Sequence, residues 1–241
     1  MSSKTSQYYD KIYAFKNYPD EVARVRRLIE QQHPTAQSVL DVACGTGEHA
    51  RLLSEHYTVD GIDIDPNFIV QARLKVPRGE FIATDMRRFA IGKKYDVVLC
   101  LFSSIGYLTE PQDMVSALRC FAAHLQPDGI IIVEPWLTPD VWTSGQAHMT
   151  PPVNEPELKV SRVSYSVTEG DVSVLNFHYL VGTNSGVEYL QETHRLALYT
   201  VADMQHFFAA AGLVVDYDPK GLSDRGLYLA APSPRSIQRR R

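Results

Sequence analysis

The stretch Asp41-Val42-Ala43-Cys44-Gly45-Thr46-Gly47-Glu48-His49 decides the fold of this chain. An apolar run over residues 38–43 leads into it and predicts a buried strand, and a helical pattern begins at about Glu48. Glycine allows sharp turns and lets a ligand approach the backbone closely. In an open parallel sheet, ligands bind at the carboxyl ends of the strands, where the strand order reverses. The stretch therefore predicts a ligand-binding turn.

Three kinds of nucleotide-binding turn could account for this stretch. A P-loop needs Lys and Ser or Thr after its last glycine, and Glu48-His49 supplies neither. A dinucleotide fingerprint has Gly or Ala where this chain has Ala50, so it stays open. The third is the D-x-x-x-G-x-G turn of class I S-adenosylmethionine methyltransferases, which the stretch closely resembles. The Asp41 carboxylate would repel a pyrophosphate but suits the cationic amino end of S-adenosylmethionine. An ordinary tight turn without a ligand is the remaining interpretation.

Composition limits the classes of function. The 241 residues suit one large domain, or one domain with an insertion. A net charge of −4 argues against general affinity for nucleic acid. Cys44, Cys100 and Cys120 lie in apolar patterns, which indicates buried thiols in a reducing compartment and neither disulfides nor a metal site. Since no signal peptide and no membrane-spanning run is evident, we expect a soluble, cytoplasmic protein.

Strand and helix patterns alternate from residue 38 to 134, which indicates a mostly parallel sheet with helices on both faces. A helix at 200–212 and a closing hairpin return to that sheet. We therefore expect an α/β fold with a doubly wound, mostly parallel sheet of seven strands. The predicted strands are 38–43, 57–62, 79–83, 95–101, 129–134, 213–217 and 227–230, and the helices between the first five are 47–55, 66–76 and 111–125.

Polar groups stand at the ends of the second and third strands. A carboxylate at Asp63 would accept hydrogen bonds from both ribose hydroxyls of a nucleoside. It could instead cap the next helix, but Asp65 meets that need and leaves Asp63 freer for a ligand. Asp85 would accept from an adenine amine while the Met86 N–H donates to a ring nitrogen. The alternative for Asp85 is a loop carboxylate near Arg87.

The fourth strand ends at Leu101 and Phe102, which would pass beside the adenosyl group and the transferable methyl. The Pro-Pro-aromatic run of enzymes that methylate nucleic-acid bases is missing here. His124 would be a general base, because histidine titrates near neutral pH. It also suits the end of a helix, where its positive charge meets the helix dipole, and this is the interpretation that the position favours. Near the N-terminus, the aromatic residues between Tyr8 and Tyr18 would either pack as a helix end or form a lid over a ligand.

A different pattern separates the fifth strand from the helix at 200–212. Residues 137–157 are rich in Pro, Thr and Gly and predict a loop over the site. Residues 158–168, 172–182 and 187–199 alternate between apolar and polar, as antiparallel strands do. This antiparallel β insertion would roof the substrate pocket or form the surface of a homodimer.

The chain therefore divides into four parts. Residues 1–136 form the ligand-binding core with its aromatic lid, 137–199 the loop and insertion, 200–231 the helix and hairpin that complete the core, and 232–241 a basic tail. The tail holds Arg235, Arg239, Arg240 and Arg241, and we expect it to be a disordered end.

The chain up to about residue 231 resembles the class I S-adenosylmethionine-dependent methyltransferases. Within them it looks most like the N,N-dimethyltransferases of dTDP-3-amino-deoxysugars, which serve antibiotic biosynthesis. The stretches that carry the resemblance are 41–47, 102–108, 133–136, 162–164 and 221–228.

The resemblance implies S-adenosylmethionine as cofactor and a small sugar nucleotide as substrate, with no nucleic acid and no membrane. The implied cofactor contacts are Tyr13, Asp41, Ala43, Gly45, Gly47, Asp63, Ile64, Asp85, Met86, Leu101 and Phe102. The implied substrate contacts are Trp142, Thr143, Ser144, Gly145, Arg162, His178 and Arg225. The candidates for a weak base are Tyr13 and His124.

The expected reaction is in-line methyl transfer to a sugar amine, with orientation as its main source of rate and a weak base as a minor one. An O- or N-methyltransferase for another small molecule stays open as an alternative. So does a non-catalytic binding protein whose Arg-rich tail recruits an acidic partner.

Overall fold

Seven strands form the central sheet of the computed structural model, which describes residues 5–232. In their order across the sheet they are β11 (Val214–Asp218), β12 (Leu227–Ala231), β5 (Leu125–Val133), β4 (Tyr95–Cys100), β1 (Ser38–Val42), β2 (Thr58–Asp63) and β3 (Phe81–Ala83). Only β12 runs antiparallel to its neighbours. The strand order reverses between β1 and β4, so their carboxyl ends mark the ligand edge. The predicted seven-stranded sheet with a closing hairpin is confirmed.

Helices cover both faces of this sheet. Their bounds are α1 (Tyr9–Ile12), α2 (Tyr18–Gln32), α3 (Glu48–Leu53), α4 (Pro66–Lys75), α5 (Pro111–Ala123) and α6 (Val201–Ala210), with 3-10 turns at Ser6–Tyr8 and Ser104–Tyr107. The Asp65 side chain caps α4 by accepting from the Asn67 N–H at 2.9 Å, as predicted. Thr200 and Asp203 form a reciprocal capping box at the start of α6.

The core consists of two apolar clusters, one on each face of the sheet. Successive strand residues alternate between them: Val39 and Leu99 belong to one cluster, Leu40 and Val98 to the other. This division follows from the two-residue period of a strand. It also explains the near-continuous apolar runs of β1, β4 and β5, since both of their faces are buried.

A second, antiparallel sheet forms the insertion. It contains β6 (Gln146–Met149), β8 (Leu158–Glu169), β9 (Val172–Thr183) and β10 (Gly186–Ala197), and the short β7 (Val153–Asn154) also pairs with β8. The three long strands were predicted, but the prediction of a loop over 137–157 is wrong in part. This segment contains β6 and β7, which each pair with β8. Strands this short do not produce a recognisable alternation of apolar and polar residues.

The N-terminal segment lies between the two sheets. Ile12 joins a third apolar cluster with Val160, Tyr179 and Val181 on the inner face of the insertion, and Tyr13 packs against it. No helix within residues 5–232 is long and apolar enough to cross a membrane. The arginines of the basic tail lie outside the described residues.

Candidate active site

The glycine turn follows β1 at the ligand edge. Ala43, Gly45 and Gly47 have φ values of 57°, 55° and 82°, in the left-handed region that favours glycine. A Cβ at Gly47 would lie 3.0 Å from Ala72 of α4, whereas a Cβ at Gly45 would meet no atom of residues 5–232 within 4 Å. Gly47 therefore serves helix packing, while Gly45 leaves its backbone open to a ligand.

Asp63 holds the glycine turn against the end of β2. One carboxylate oxygen accepts the Gly45 N–H at 2.9 Å and the other accepts the Asp65 N–H at 2.8 Å. This corrects the expectation that capping by Asp65 leaves Asp63 free. Burial raises the pKa of Asp63, and these backbone hydrogen bonds oppose the shift. Each oxygen keeps a lone pair for a ribose hydroxyl, so the ribose contact stays a prediction.

Asp41 supplies an observation that fits a cationic ligand. Its side chain is only 2% exposed, and its Oδ2 has no hydrogen-bond partner among the described residues. Burial raises its pKa to about 6. Buried carboxylates are normally paired. Together with the open backbone at Gly45 and the 57% exposed side chain of Ile64, this fits the ammonium and adenosyl groups of S-adenosylmethionine.

Asp85 is engaged by a neighbouring arginine. Arg87 donates to both of its carboxylate oxygens, at 3.0 and 2.6 Å, and reaches Asp113 at 2.7 Å. These hydrogen bonds from Arg87 hold the pKa of Asp85 below its ordinary value. Asp85 therefore pairs as the alternative interpretation expected, as a loop carboxylate beside Arg87. Met86 is half-buried against the core, and its contact with adenine stays a prediction.

The end of β4 makes a left-handed turn without glycine, because Phe102 and Ser103 have φ values of 53° and 62°. A buried carboxylate holds it: Glu134 accepts the Phe102 N–H at 2.7 Å and the Ser223 hydroxyl at 2.5 Å. Ser103 donates to the Pro135 carbonyl at 2.7 Å. Strained turns persist where surrounding contacts fix them, often at functional sites. Nothing local in the sequence marks Glu134, although it lies in the segment 133–136 that carries the family resemblance.

Arg225 reaches this turn from the C-terminal hairpin. It donates to the Ser103 hydroxyl at 3.1 Å, and its guanidinium lies 5.7 Å from the Phe102 ring and 5.4 Å from the Trp136 ring. The Trp142 ring is 6.1 Å from Trp136. Trp142 and Arg225 therefore share one wall of the cleft, and their contact with substrate stays a prediction.

The segment after Trp142 continues along that wall. Trp142 Nε1 donates to the Thr168 hydroxyl at 2.8 Å, and the Gly145 N–H donates to the Ser166 carbonyl at 2.8 Å. Thr143, Ser144 and Gly145 are exposed at the rim. Their contact with substrate stays a prediction.

Tyr13 joins the lid to the insertion. Arg162 is only 7% exposed and donates to the Tyr13 hydroxyl at 2.8 Å, with its guanidinium 4.8 Å from the Phe177 ring. The Tyr13 ring meets Phe102 edge-on at 5.4 Å. The structure thus brings Tyr13, Phe102, Arg162 and Arg225 around one cleft, between the carboxyl ends of the core strands and the inner face of the insertion.

Comparisons with known proteins identify the family to which this chain belongs. A family model described as a methyltransferase domain matches residues 39–129. The dTDP-3-amino-3,6-dideoxy-alpha-D-glucopyranose N,N-dimethyltransferase of Streptomyces fradiae is 37% identical over 99% of this chain and 94% of its own. The chain belongs to the sugar N,N-dimethyltransferases. This methyltransferase therefore uses S-adenosylmethionine, and the alternatives of a dinucleotide site and a non-catalytic binding protein are excluded.

Two solved structures agree with this assignment. DesVI of Streptomyces venezuelae is 33% identical with a TM-score of 0.89, over 97% of this chain and 100% of that one. SAM-bound CalS10, an amino pentose methyltransferase from Micromonospora echinaspora, is 33% identical with a TM-score of 0.82, over 90% and 92%. The α/β core and the insertion are thus features that the methyltransferase shares with both solved structures.

The prediction of His124 as a catalytic base is wrong. Its ring donates from Nδ1 to the Cys120 carbonyl at 2.7 Å, accepts the Ile91 N–H at 3.2 Å and stacks on Phe89 at 4.3 Å. Its own carbonyl accepts from the Tyr95 N–H at the start of β4. His124 therefore lies at the sheet edge opposite the site, where it ends α5.

His178 is also misplaced for substrate binding. In β9 it alternates with Phe177 and Tyr179, which pack on the inner face, so it lies on the outer face. There its Nδ1 is 2.5 Å from the Tyr189 hydroxyl. The predicted alternation was right, but the sequence does not say which face is turned toward the core.

A polar latch that the sequence analysis missed ties the lid to the glycine turn. Asp10 accepts from the Thr46 hydroxyl and from Lys75, both at 2.5 Å, and Lys75 also pairs with Glu48 at 2.8 Å. The aromatic segment is therefore packed against the glycine turn and the insertion, and its role as a lid stays a prediction. Asp10 and Lys75 stand at unremarkable sequence positions, so only the tertiary structure reveals the latch.

Proposed function

We propose that this methyltransferase transfers two methyl groups to the amine of a dTDP-linked 3-amino-deoxysugar. The observation that carries the proposal is the pair Arg162 and Arg225 on the walls of the cleft beside Phe102. A guanidinium matches the oxygens of a nucleotide pyrophosphate. The Streptomyces fradiae relative is named for this substrate class.

Alignment of the reactants contributes more to this chemistry than acid–base groups do. S-adenosylmethionine supplies a methyl group on a sulfonium, and a neutral amine is a sufficient nucleophile. The residues of the chain bind the sugar nucleotide, align its nitrogen and exclude water. Alignment of this kind can lower a barrier by about 7–11 kcal/mol. We propose that Tyr13 orients the amine, which its contacts with Phe102 and Arg162 support.

The test is an incubation of the protein and S-adenosylmethionine with dTDP-3-amino-3,6-dideoxyhexose, read by mass spectrometry. We expect one and then two added methyl masses. The 4-amino isomer locates the amine, and the 3-hydroxy analogue is the matched control, on which no methyl should appear. Methylation of the 3-hydroxy sugar, or of neither amine while S-adenosylmethionine still binds, would contradict the proposed substrate.

We further propose that two copies associate through the outer face of the insertion. Four exposed side chains on that face support this: Met149, Val163, Tyr165 and Leu180. Met149 is directly opposite Val163 across β6 and β8. Contiguous exposed apolar residues of this kind mark interaction surfaces. One patch that meets its own copy makes an isologous dimer.

Light scattering on the full chain would decide this. We expect a dimer, and Leu180→Glu should yield a monomer because a charge would be buried at the interface. Val70→Glu, which adds the same charge to an exposed residue of α4, is the matched control and should stay dimeric. A wild-type monomer at micromolar concentration would exclude the interface.

We also place the enzyme in the reducing cytoplasm. Its three cysteines are free thiols, and burial raises the pKa of Cys44 and Cys100, which keeps them protonated. Such thiols suit a compartment that does not form disulfides.

A further inference from the structure

A second tyrosine faces the cleft. Tyr107 ends the 3-10 turn that follows the Phe102 turn, and half of its surface is exposed, as a substrate-facing side chain requires. Its hydroxyl lies 2.7 Å from Nδ1 of His194 in β10. The core and the insertion therefore meet in a Tyr–His hydrogen bond at the site.

His194 has a carboxylate behind it. Glu192 is two residues earlier in β10 and so shares the inner face, with its Oε2 3.6 Å from His194 Nε2. Glu192 itself is held by the backbone N–H and hydroxyl of Thr5, at 3.1 and 3.0 Å. A carboxylate near Nε2 favours the proton on that nitrogen, which leaves Nδ1 to accept from Tyr107.

Tyr13 is a poor alternative as proton acceptor. Its oxygen already accepts from Arg162, and that cation opposes a second positive charge on the same hydroxyl. Tyr107 has the opposite surroundings, since its neighbour His194 can take a proton. Tyr13 is therefore held by the Arg162 cation, whereas Tyr107 is hydrogen-bonded to a base, His194.

A dimethylating enzyme must remove protons. After the first transfer the nitrogen is a secondary ammonium, which is no nucleophile until it loses a proton. We propose that Tyr107 accepts this proton as its own hydroxyl proton passes to His194 Nδ1. The balance is one ammonium converted to an amine and one imidazole converted to an imidazolium, which Glu192 stabilises.

In this relay, which rests on the proposed function, Tyr107 is the catalytic group, and His194 and Glu192 are positioning residues. Partial burial at the cleft is the main cause that raises the pKa of Tyr107 above its usual range, and Tyr13, Glu192 and Tyr179 add to the shift. The hydroxyl therefore stays protonated and passes protons on. The groups that face His194 are Tyr107, Glu192 and the Phe177 ring, 4.7 Å away.

The first test is the pH dependence of each methylation step. Tyr107→Phe and His194→Gln should lower kcat of the second transfer by roughly 100-fold at neutral pH, the lower end for general acid–base catalysis. KM should change little, and monomethyl product should accumulate. The deficit should shrink at alkaline pH, where solvent removes the amine proton. A deficit that is constant with pH, or no deficit, would overturn the relay.

The chain offers a matched control. Tyr189 and His178 form a second Tyr–His pair, 2.5 Å apart, on the outer face of the same sheet. Tyr189→Phe and His178→Gln remove the same groups beside Leu180 on the proposed dimer face. Once light scattering shows that they keep the wild-type oligomeric state, they should leave the pH profile and product ratio unchanged. If they reproduce the loss, the effect comes from the sheet and the relay is wrong.

A second measurement needs no substrate. Nitrogen NMR of the full chain should show His194 as the Nε2–H tautomer, with an Nδ1 signal that shifts in Tyr107→Phe. Failure of the wild-type protein to methylate the amino sugar would contradict the proposed substrate alone. An Nδ1–H tautomer, or a signal that Tyr107→Phe does not move, would overturn the relay whichever sugar the enzyme uses.

Discussion

The two walls of the cleft, which we propose bind the cofactor and the sugar nucleotide, are built in different ways. The cofactor wall consists of backbone turns at the ends of β1, β2 and β4, fixed from below by the carboxylates of Asp63 and Glu134. The substrate wall consists of side chains, including Arg162 and Arg225, which come from the insertion and the C-terminal hairpin. Backbone turns are set by local sequence, whereas a wall of side chains depends on how distant segments pack.

This difference suggests that the walls can be damaged separately. A change beneath the backbone wall should affect S-adenosylmethionine binding, and a change on the other wall should affect the sugar nucleotide. The following predictions test that separation.

The largest effect is expected from Asp63→Ala. Two backbone N–H groups, of Gly45 and Asp65, lose their acceptor, and each unsatisfied buried donor costs about 1–3 kcal/mol. S-adenosylmethionine should bind roughly 100-fold more weakly in calorimetry. The matched control is Asp96→Ala, because Asp96 also accepts two backbone N–H groups, at the opposite edge of the sheet. Equal losses in both variants would contradict a specific role.

A smaller effect is expected from Arg225→Met on the other wall. Hydrogen bonds to charged groups contribute about 1.5–3 kcal/mol, so KM for the sugar nucleotide should rise roughly 30-fold. The S-adenosylmethionine Kd should not move. Arg195→Met removes an exposed arginine paired with Glu169 and should change neither value. If Arg225→Met weakens both ligands alike, the walls are not separable.

Asp41→Asn should raise the stability of the protein at pH 7 while it weakens S-adenosylmethionine binding. Because the folded-state pKa of about 6 exceeds the ordinary value of about 3.9, the folded protein binds the proton more tightly. The protein therefore loses about 2–3 kcal/mol of stability as pH rises through that window. Asp41→Asn should recover this stability at pH 7 in urea unfolding, with no gain below about pH 4, while S-adenosylmethionine binds about tenfold more weakly. Destabilisation at pH 7 would show that the carboxylate is paired.

The smallest effect is expected from the latch. Lys75→Met removes two partly exposed ion pairs, each contributing up to about 1 kcal/mol. The lid should open more often, so S-adenosylmethionine should dissociate roughly threefold faster in stopped flow. Lys93→Met is the control, since Lys93 also makes two ion pairs but with Asp60 and Glu80. An unchanged dissociation rate would show that the latch does not gate the cofactor.

The sequence predicted locally determined elements on both sides of the cleft better than the positions of single side chains. The strand before the glycine turn, the cap at Asp65 and the hairpin were all confirmed, because each depends on neighbouring residues. His124 and His178 were misjudged for a shared reason. Their local patterns were correct, but which sheet edge or face they occupy depends on long-range packing.

Tyr107 was not predicted to be functional, whereas His124 and His178 were predicted wrongly. It lies within a segment that the sequence analysis quoted, yet nothing local marks it as functional. Its significance comes from His194, which the insertion brings to within 2.7 Å. Loop-borne pairs of this kind have no sequence period, so periodicity cannot find them.

By itself, the sequence determined the α/β core, the ligand edge and the glycine turn, because alternating apolar patterns and glycine conformations act over a few residues. Only the tertiary structure decided which face of the insertion meets the cleft, and which tyrosine is fixed by Arg162 and which by His194. Those contacts join residues far apart in the chain, and their geometry exists only once both sheets have packed.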